Sequence, residues 1–317
     1  MPKQIIIDTD PGIDDAMAIL FALRSPDLEV VGLTTIFGNV RTDLATENAL
    51  RLVELSGRPE IPVARGAEKP LVLPLENVAD FVHGADGLGN TNLPSPGGQA
   101  VAVPAARFIA DTVMANPGQV TLVPIGPLTN IALALALEPR IVENVAEVVI
   151  MGGAATVNGN VNPAAEANIY MDPHAADLVF RADWPLTMVG LDVTMKVIMS
   201  DEYLAALSSG GSTVGEFIYR ISRFYLEFHG QAYGIQGAHT HDPSAIAYVI
   251  DPTLFETRSG PVRVVTEGIA MGQTVMDQRG QWPEAHPWTD IPAANVCLDV
   301  DSERLLKVYK RRITTDL

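Results

Sequence analysis

Four aspartates lie among the eight residues from Asp8 to Asp15, directly after a short apolar run that is typical of a buried strand. Carboxylates this close raise one another's pKa, and a hard divalent cation relieves the repulsion while it takes oxygen ligands. Pro11 and Gly12 allow the backbone to turn sharply, so that the carboxylates before and after the turn can converge on one ion. Asp14 could instead cap a helix, but one cap needs only one carboxylate. The cluster therefore predicts a metal site.

The elements that would position this cluster alternate between short Val- and Ile-rich runs and helical patterns. This rhythm predicts βαβ units, and near-continuous apolar strands suit a parallel sheet that is covered on both faces. The predicted strands are Gln4–Ile7, Glu29–Thr35, Val120–Pro124, Glu147–Met151, Leu186–Val189, Val262–Val265 and Asn295–Val300. The predicted helices are Asp14–Leu23, Thr42–Leu55, Leu128–Leu137, Pro173–Arg181 and Ser302–Arg311. We expect an α/β protein with an open, mostly parallel central sheet flanked by helices, and with a helical excursion near residues 200–250.

Ligands bind beyond the carboxyl ends of the strands in an open sheet of this kind. Polar residues follow four of the predicted strands, in the segments Asp8–Asp15, Phe37–Asn39, Ile125–Pro127 and Gly152–Asn168. We therefore expect these segments to contribute to one site. The chain has no low-complexity tract, Pro/Ser-rich linker or solenoid repeat, so a single domain over residues 1–317 is the simplest organisation.

The composition argues against several classes of partner. Of the 317 residues, 47% are hydrophobic and 19% are charged, which is ordinary for a folded protein. The formal net charge of -17 would repel phosphate backbones and anionic lipids, so we expect neither nucleic-acid nor membrane partners. The single cysteine, Cys297, cannot form an intramolecular disulfide and is predicted to be a buried structural thiol. We see no signal-peptide core and no apolar stretch of bilayer-spanning length, so we expect a cytoplasmic protein.

Further motifs accompany the aspartate cluster. The segment from Asp8 to Ala16 resembles the N-terminal signature of the inosine-uridine preferring nucleoside hydrolase family. The resemblance covers residues 4 to about 250, and its motifs together are highly specific. The motifs that follow the family's order and approximate spacing are Gly38-Asn39, His83-Gly84, Asp86-Gly87-Leu88-Gly89, Val123–Asn130, Met151-Gly152-Gly153, Asn160 with Glu166 and Asn168, and His241-Asp242.

The resemblance implies a calcium site. The carboxylates of Asp10, Asp15 and Asp242 and the main-chain carbonyl of Ile125 would hold the ion, with two ribose hydroxyls and one water completing its coordination. Calcium accepts such mixed oxygen ligands, whereas magnesium demands a stricter octahedron. The family usually has threonine where Ile125 stands, but a carbonyl ligand does not depend on the side chain.

Ribose recognition is also implied by the resemblance, because ribose hydroxyls need polar partners in a desolvated pocket. Asp14 and Asn168 would bind the 2′- and 3′-hydroxyls. Ala167 stands where many members have phenylalanine, so part of the pocket wall is expected to be wider. The remaining sugar-side contacts would be Asn160 and Glu166 at the 5′-hydroxyl, Asn39 at the ring side, and Met151.

The family covers the base with a helix, which is predicted here over residues 215–230. This implies Tyr225 and His229 as base contacts, and His83 and His239 are further histidines that could reach the base. Taken alone, aromatic residues at helical spacing are more often part of a core than of a site.

The implied reaction breaks a ribosyl C1′–N bond through an oxocarbenium-like state, which requires a nucleophile, stabilised positive charge and protonation of the leaving base. The metal-bound water would be activated by Asp10, which would take its proton. His241 is the candidate acid, because imidazole titrates near neutral pH and this residue precedes Asp242. We expect a calcium-dependent ribonucleoside hydrolase of nucleoside salvage that forms a homodimer or homotetramer.

Two other classes of protein share part of this pattern. Asp8-Thr9-Asp10 after an apolar strand is also typical of haloacid-dehalogenase-like phosphatases, but the sequence has no convincing later Gly-Asp pair and Lys196 is a poor candidate for their lysine. A non-catalytic ribose-binding module would not need a water activator such as Asp10 beside a complete metal set. Release of free base rather than phosphate would separate the first alternative from the hydrolase.

Overall fold

The computed structural model describes residues 1–75, 78–209, 211–279 and 287–315. Its strands are β1 (Lys3–Thr9), β2 (Leu28–Thr35), β3 (Val63–Arg65), β4 (Val120–Pro124), β5 (Glu147–Met151), β6 (Leu186–Val189), β7 (Ile198–Met199), β8 (Ala238–His239), β9 (Phe255–Val264), β10 (Thr274–Met276) and β11 (Ala293–Val300). Its helices are α1 (Ile13–Leu23), α2 (Thr42–Leu55), α3 (Asp80–His83), α4 (Ala105–Ala115), α5 (Thr129–Leu137), α6 (Ile141–Asn144), α7 (Ala167–Met171), α8 (Pro173–Phe180), α9 (Leu191–Thr194), α10 (Asp201–Ser208), α11 (Thr213–Tyr233), α12 (Asp242–Ile250) and α13 (Ser302–Thr314), with a 3₁₀ turn at Pro252–Leu254.

Nine of these strands form one sheet in the order β10-β9-β11-β6-β5-β4-β1-β2-β3. The pairings from β11 through β3 are parallel, whereas β9 runs antiparallel to both β11 and β10. Strands β7 and β8 pair separately. The predicted α/β class with a mostly parallel central sheet is therefore confirmed.

Hydrophobic cores cover both faces of the sheet. In β1, Ile5 and Ile7 belong to one core and Ile6 belongs to the other, as the alternation of side chains along a strand requires. Helices α1, α11, α12 and α13 contribute to the first core, and α4, α5 and α8 contribute to the second. Burial on both faces explains why the strands lack a polar side.

Helix α13 packs directly against α1. The rings of Phe21 and Tyr309 lie 4.8 Å apart between centroids, and the Tyr309 hydroxyl lies 3.4 Å from the carbonyl oxygen of Met17. Both aromatic side chains are completely buried. The first helix after the aspartate cluster is thus covered by a helix from the far end of the described chain.

The apolar strands at Val120–Pro124, Glu147–Met151 and Leu186–Val189 are confirmed residue for residue. The strand predicted at Val262–Val265 begins earlier, at Phe255. Its first half is exposed and polar, so no apolar pattern marks it, and antiparallel pairing with β11 holds it in the sheet. The helical excursion contains α10, α11 and α12, with the short strand β8 between the last two. Among the described helices, none combines the length and the apolar character that crossing a bilayer requires.

Candidate active site

The aspartate cluster lies where the carboxyl ends of three strands meet. Strand β1 is flanked by β2 and β4, and Asp8 is paired with Thr34 on one side and Pro124 on the other. The loops that follow these strands therefore converge, as the sequence predicted. Asp8 itself is fully buried, and its Oδ1 atom accepts hydrogen bonds from Thr34 and from Asn130, which lies in the first turn of α5.

Asp15 is held by the loop that it closes. Its Oδ1 atom accepts a hydrogen bond from Thr9 Oγ1 at 2.5 Å, and its Oδ2 atom accepts from the main-chain N–H of Gly12 at 3.0 Å and from Asn39 Nδ2 at 2.8 Å. The bond to Gly12 also caps α1. One carboxylate of the cluster therefore caps the N-terminus of α1, and it is that of Asp15 rather than Asp14.

Asp10 is enclosed between two glycines. Its Oδ2 atom accepts a hydrogen bond from the main-chain N–H of Asn39 at 2.6 Å, whereas its buried Oδ1 atom has no hydrogen-bond partner among the described residues. A Cβ atom added at Gly38 would collide with Oδ2, and one added at Gly126 would collide with Oδ1. Burial, followed by the charge of Asp15, raises the pKa of Asp10 well above its ordinary value.

Three carboxylates form a compact group beside Asp10. One oxygen each from Asp14, Asp15 and Asp242 lie within 4.8 Å of one another. Burial raises the pKa of all three, to about 6 for Asp14 and well above the ordinary value for Asp242. Within the part of the chain that the structure describes, the Oδ1 atom of Asp14 has no hydrogen-bond partner, and the same holds for Oδ1 of Asp10. Such crowded, partnerless oxygens fit a hard cation, which would supply the missing charge.

This group overlaps the predicted metal ligands without matching them completely. It includes Asp15 and Asp242 and has Asp14 where the sequence predicted Asp10. Asp10 lies next to the group, since the charges of Asp14 and Asp15 act on its pKa. The carbonyl oxygen of Ile125 accepts a hydrogen bond from Asn168 Nδ2 at 2.9 Å, so the predicted main-chain ligand adjoins a predicted ribose contact.

The residues predicted for ribose are fixed by main-chain hydrogen bonds. Glu166 caps α7, and its carboxylate accepts hydrogen bonds from the N–H groups of Gly153 at 2.9 Å and Asn168 at 2.9 Å. Asn160 Oδ1 accepts from the N–H of Ala167 at 3.0 Å. Asn168 Nδ2 also lies 3.2 Å from the carbonyl oxygen of Met151. The four predicted residues therefore form one connected wall.

Histidines and aromatic rings make up the opposite wall. Tyr225 donates from its hydroxyl to Asp14 Oδ2 at 3.1 Å and stacks on His83 with centroids 5.7 Å apart. His83 accepts a hydrogen bond at Nδ1 from the N–H of Ile13 at 3.1 Å, and burial lowers the pKa of His83 to about 4. This ring is therefore a neutral group near pH 7.

His241 is the N-cap residue of α12 and packs among other histidines. Its Nδ1 atom lies 2.8 Å from Thr194 Oγ1, and its ring centroid lies 5.8 Å from that of His239 and 6.4 Å from that of His229. Burial, followed by the neighbouring histidines, lowers the pKa of His241 well below its ordinary value.

These walls enclose a cavity of about 530 Å³, within the range of small-molecule sites. The predicted residues that line it are Asp14, Asn39, His83, Ile125, Met151, Asn160, Glu166, Asn168, Tyr225, His229, His241 and Asp242. Ala167 lines it as well. Three predicted residues do not: Asp10 and Asp15 are buried beside Asp14, and His239 packs against the rings of His229 and His241.

The sequence reasoning missed the apolar part of the cavity. Leu73 and Val78 lie outside the helices and strands, Phe81 lies in the short helix α3, and no sequence pattern pointed to any of the three. Phe228 and Tyr233 also line the cavity from α11. The sequence could have indicated both residues, because they are aromatic and lie on the same helix as Tyr225 and His229.

Comparison with known proteins identifies the family. The sequence pattern of the family described as inosine-uridine preferring nucleoside hydrolase matches residues 5–307. The chain is 46% identical over 313 residues to a probable uridine nucleosidase 2 of Arabidopsis thaliana, covering 98% of this chain and 97% of that protein. It is 41% identical over 287 residues to the inosine-uridine preferring nucleoside hydrolase of Leishmania major, covering 90% of each.

Solved structures give the same result. A plant nucleoside hydrolase superposes with a TM-score of 0.98 at 44% identity, covering 100% of both chains. A purine-preferring ribonucleoside hydrolase from Gardnerella vaginalis superposes with a TM-score of 0.92 at 35% identity, covering 98% of both. The chain therefore belongs to the inosine-uridine preferring nucleoside hydrolase family and is a hydrolase that acts on the N-glycosyl bonds of ribonucleosides.

Proposed function

We propose that this chain hydrolyses uridine and inosine to ribose and free base with calcium as its cofactor. The observation that carries the proposal is the buried carboxylate group of Asp14, Asp15 and Asp242 at a cavity large enough for a nucleoside. Relatives named as uridine nucleosidases and as an inosine-uridine preferring hydrolase support the choice of substrates.

Asp10, Asp15, Asp242 and the carbonyl oxygen of Ile125 would hold the ion, with Asp14 in the same group. The partnerless Oδ1 atoms of Asp10 and Asp14 support this assignment, because a buried charged oxygen needs a compensating partner. An oxygen-only donor set suits calcium better than a transition metal. When bound, a divalent cation lowers the pKa of water and steadies the ribose hydroxyls.

Asp10 is our candidate for the base that takes a proton from the attacking water. Its Oδ2 atom accepts a hydrogen bond from the main chain of Asn39, which holds the carboxylate in one orientation beside the group that would hold the ion. A raised pKa makes a carboxylate a stronger base, so burial favours this role.

The ribose would be held by the wall that contains Asn168, Asn160 and Glu166, together with Asp14. Fixing the sugar hydroxyls orients C1′ toward the water, and the acidic surroundings favour positive charge on the ring. His241 would interact with the leaving base through its ring nitrogen Nε2. If Thr194 donates to Nδ1, the neutral ring carries its proton on Nε2 and can donate a hydrogen bond to the leaving base. Full transfer of a proton from His241 would require the doubly protonated ring, which burial disfavours by lowering its pKa.

The test is a panel of ribonucleosides assayed for ribose release, with and without a chelator, together with metal analysis of the purified protein. We expect about one calcium per chain, loss of activity on chelation and recovery on addition of calcium. Asp10→Asn and Asp242→Asn should lose nearly all turnover. Asp183→Asn, at an exposed position outside the cavity, is the matched control and should retain it. Chelator-resistant activity in a protein free of divalent ions would contradict the proposal.

A further inference from the structure

The wall of the cavity that carries Asn168 continues into an apolar part that the proposed reaction does not use. Ala167, Tyr170 and Met171 line the cavity from α7. Residues three and four positions apart lie on the same face of a helix, so Tyr170 and Met171 extend the face that begins at Ala167. An alanine side chain ends at Cβ, so position 167 adds little bulk to this part of the cavity.

The loop between β9 and β10 bounds this part from a second side. Met271 lines the cavity, and its neighbour Gly272 packs so closely on α7 that an added Cβ atom would lie 3.0 Å from the Cα atom of Tyr170. The loop ends at Thr274, whose hydroxyl is hydrogen bonded to both the N–H and the carbonyl oxygen of Ala154, each at 2.9 Å. Met271 is therefore held next to α7. The space lined by Ala167, Tyr170, Met171 and Met271 is called the apolar end of the cavity.

The charges around the cavity restrict what the apolar end can accept. None of the described residues that line the cavity is lysine or arginine, whereas Asp14, Glu166 and Asp242 are acidic. A phosphate or another anionic group would meet charge of its own sign and find no cation to pair with. An occupant of the apolar end is therefore uncharged and largely apolar.

The geometry of ribose decides which part of the substrate faces this space. In the proposed function the 2′- and 3′-hydroxyls lie at the carboxylate group, and the base lies at the histidines and aromatic rings. C1′ and C4′ flank the bond between C2′ and C3′, so the base and C5′ leave the ring at opposite ends. C5′ then points away from the aromatic wall, along Ala167 and toward Tyr170 and Met271.

The residues proposed to hold this side of the sugar do not require a hydroxyl on C5′. The carboxylate of Glu166 already accepts hydrogen bonds from three main-chain N–H groups, those of Gly153 at 2.9 Å, Asn168 at 2.9 Å and Ile169 at 3.2 Å. Asn160 is exposed, so water can pair with its amide when the substrate does not. A substrate without the 5′-hydroxyl therefore leaves neither Glu166 nor Asn160 buried and unpaired, which is the costly case.

We propose that the apolar end is a subsite for a short alkylthio group on C5′, so that the chain also hydrolyses 5′-alkylthio-5′-deoxyribonucleosides. A thioether is uncharged and flexible, and its sulfur makes favourable contacts with an aromatic ring such as that of Tyr170. The inference rests on the proposed function and adds a substrate class to it. The bond changes are the same: water adds its oxygen to C1′, the C1′–N bond breaks, and the base leaves with a proton. The C5′–S bond stays intact, so the products are a 5-alkylthioribose and the free base.

The experiment compares kcat/KM for uridine, 5′-deoxyuridine and 5′-deoxy-5′-(methylthio)uridine. The last two both lack the 5′-hydroxyl, so the ratio between them measures the methylthio group alone. We expect the methylthio compound to exceed 5′-deoxyuridine by about 10-fold, the effect of burying a group the size of two methylene units, and mass spectrometry to identify 5-methylthioribose. Uridine 5′-monophosphate should be cleaved at least about 100-fold less efficiently than the methylthio compound, because its charge has no partner.

Three variants make the test specific to the apolar end. Met271→Asp places a carboxylate there and should lower the ratio of methylthio compound to 5′-deoxyuridine to about 1 or below. Ile269→Asp is the matched control, because it adds the same charge to the same loop at a fully exposed position that does not line the cavity, and it should keep the ratio. Ala167→Phe fills the apolar end from α7 and should also abolish the ratio, whatever its effect on uridine. Thermal unfolding of each variant identifies any that fail to fold.

Each contrary result has a distinct meaning. A methylthio compound that is cleaved no better than 5′-deoxyuridine, or a ratio that persists in Met271→Asp or Ala167→Phe, would overturn the inference. Equal cleavage of the methylthio compound and uridine 5′-monophosphate would overturn it as well, because the substituent would then lie in solvent. Failure of the wild-type enzyme to release ribose from uridine or any other ribonucleoside would instead contradict the proposed function.

Discussion

The glycines around Asp10 have a role that follows from their lack of a side chain. The carboxylate of Asp10 lies against the backbone of Gly38 and Gly126, and no Cβ atom fits at either position. Gly38 also has a φ of +156°, which L residues rarely adopt, whereas at Gly126 the constraint is one of space alone. The backbone of these loops therefore sets where the proposed base can lie.

Gly126→Ala is expected to displace the Asp10 carboxylate while the fold persists. A shift of about 1 Å in a reacting group can lower the rate by about 100-fold, so we expect a loss of at least that size in kcat. Gly97→Ala is the matched control, because a Cβ atom there would meet its nearest neighbour at an ordinary distance of 3.6 Å. Steady-state kinetics on uridine check the result, and unchanged kcat in Gly126→Ala would show that Asp10 has room to move.

At the scale of elements, Asp172 connects two walls of the cavity. It is fully buried between α7 and α8, and its Oδ2 atom accepts hydrogen bonds from the N–H of Leu71 and from Thr129 Oγ1, both at 2.8 Å. Its Oδ1 atom caps α8 through the N–H of Ala175 at 3.0 Å. One side chain thus fixes the stretch near Leu71 relative to the helix that carries Asn168.

Asp172→Ala should leave these buried donors unpaired and lower the free energy of unfolding by about 1–3 kcal/mol. Because the stretch near Leu71 would lose its anchor, we also expect KM for uridine to rise more than kcat falls. Asp183→Ala at an exposed position is the matched control. Chemical denaturation and steady-state kinetics are the measurements, and a lower stability with unchanged KM would show that Asp172 serves only the fold.

Sequence periodicity predicted the elements that depend on burial alone. Strand β5 and helix α2 have the bounds that their apolar patterns indicate. Short β7 and the polar half of β9 could not be predicted, because they exist only through pairing with β8 and β11. The same distinction holds in the site. The carboxylates of the cluster reveal their chemistry by composition. The contacts of Asp172 with Leu71 and Thr129, and that of Gly126 with Asp10, are tertiary and leave no local pattern.

At the scale of the whole molecule, α13 closes the core over α1. Tyr309 is completely buried against Phe21, and its hydroxyl makes only a long contact with Met17 at 3.4 Å. The packing of the ring should therefore matter more than its hydroxyl. Tyr309→Ala is expected to lower the free energy of unfolding by about 3–5 kcal/mol.

Tyr309→Phe is the matched control for this prediction, with an expected loss of about 1 kcal/mol or less because only the long contact is removed. Urea denaturation of the three proteins gives the comparison. Similar losses for the two variants would mean that the hydroxyl, rather than the ring, ties α13 to α1.

The contact between α1 and α13 also bears on how the protein is made. Tyr309 and Met17 are 292 residues apart, and a ribosome adds about 5–20 residues per second, so α1 is synthesised about 15–60 s before its cover exists. During that interval we expect Asp14 and Asp15 to remain hydrated, because the surroundings that would bury them are incomplete. We therefore expect the proposed ion site to form only when translation is nearly finished.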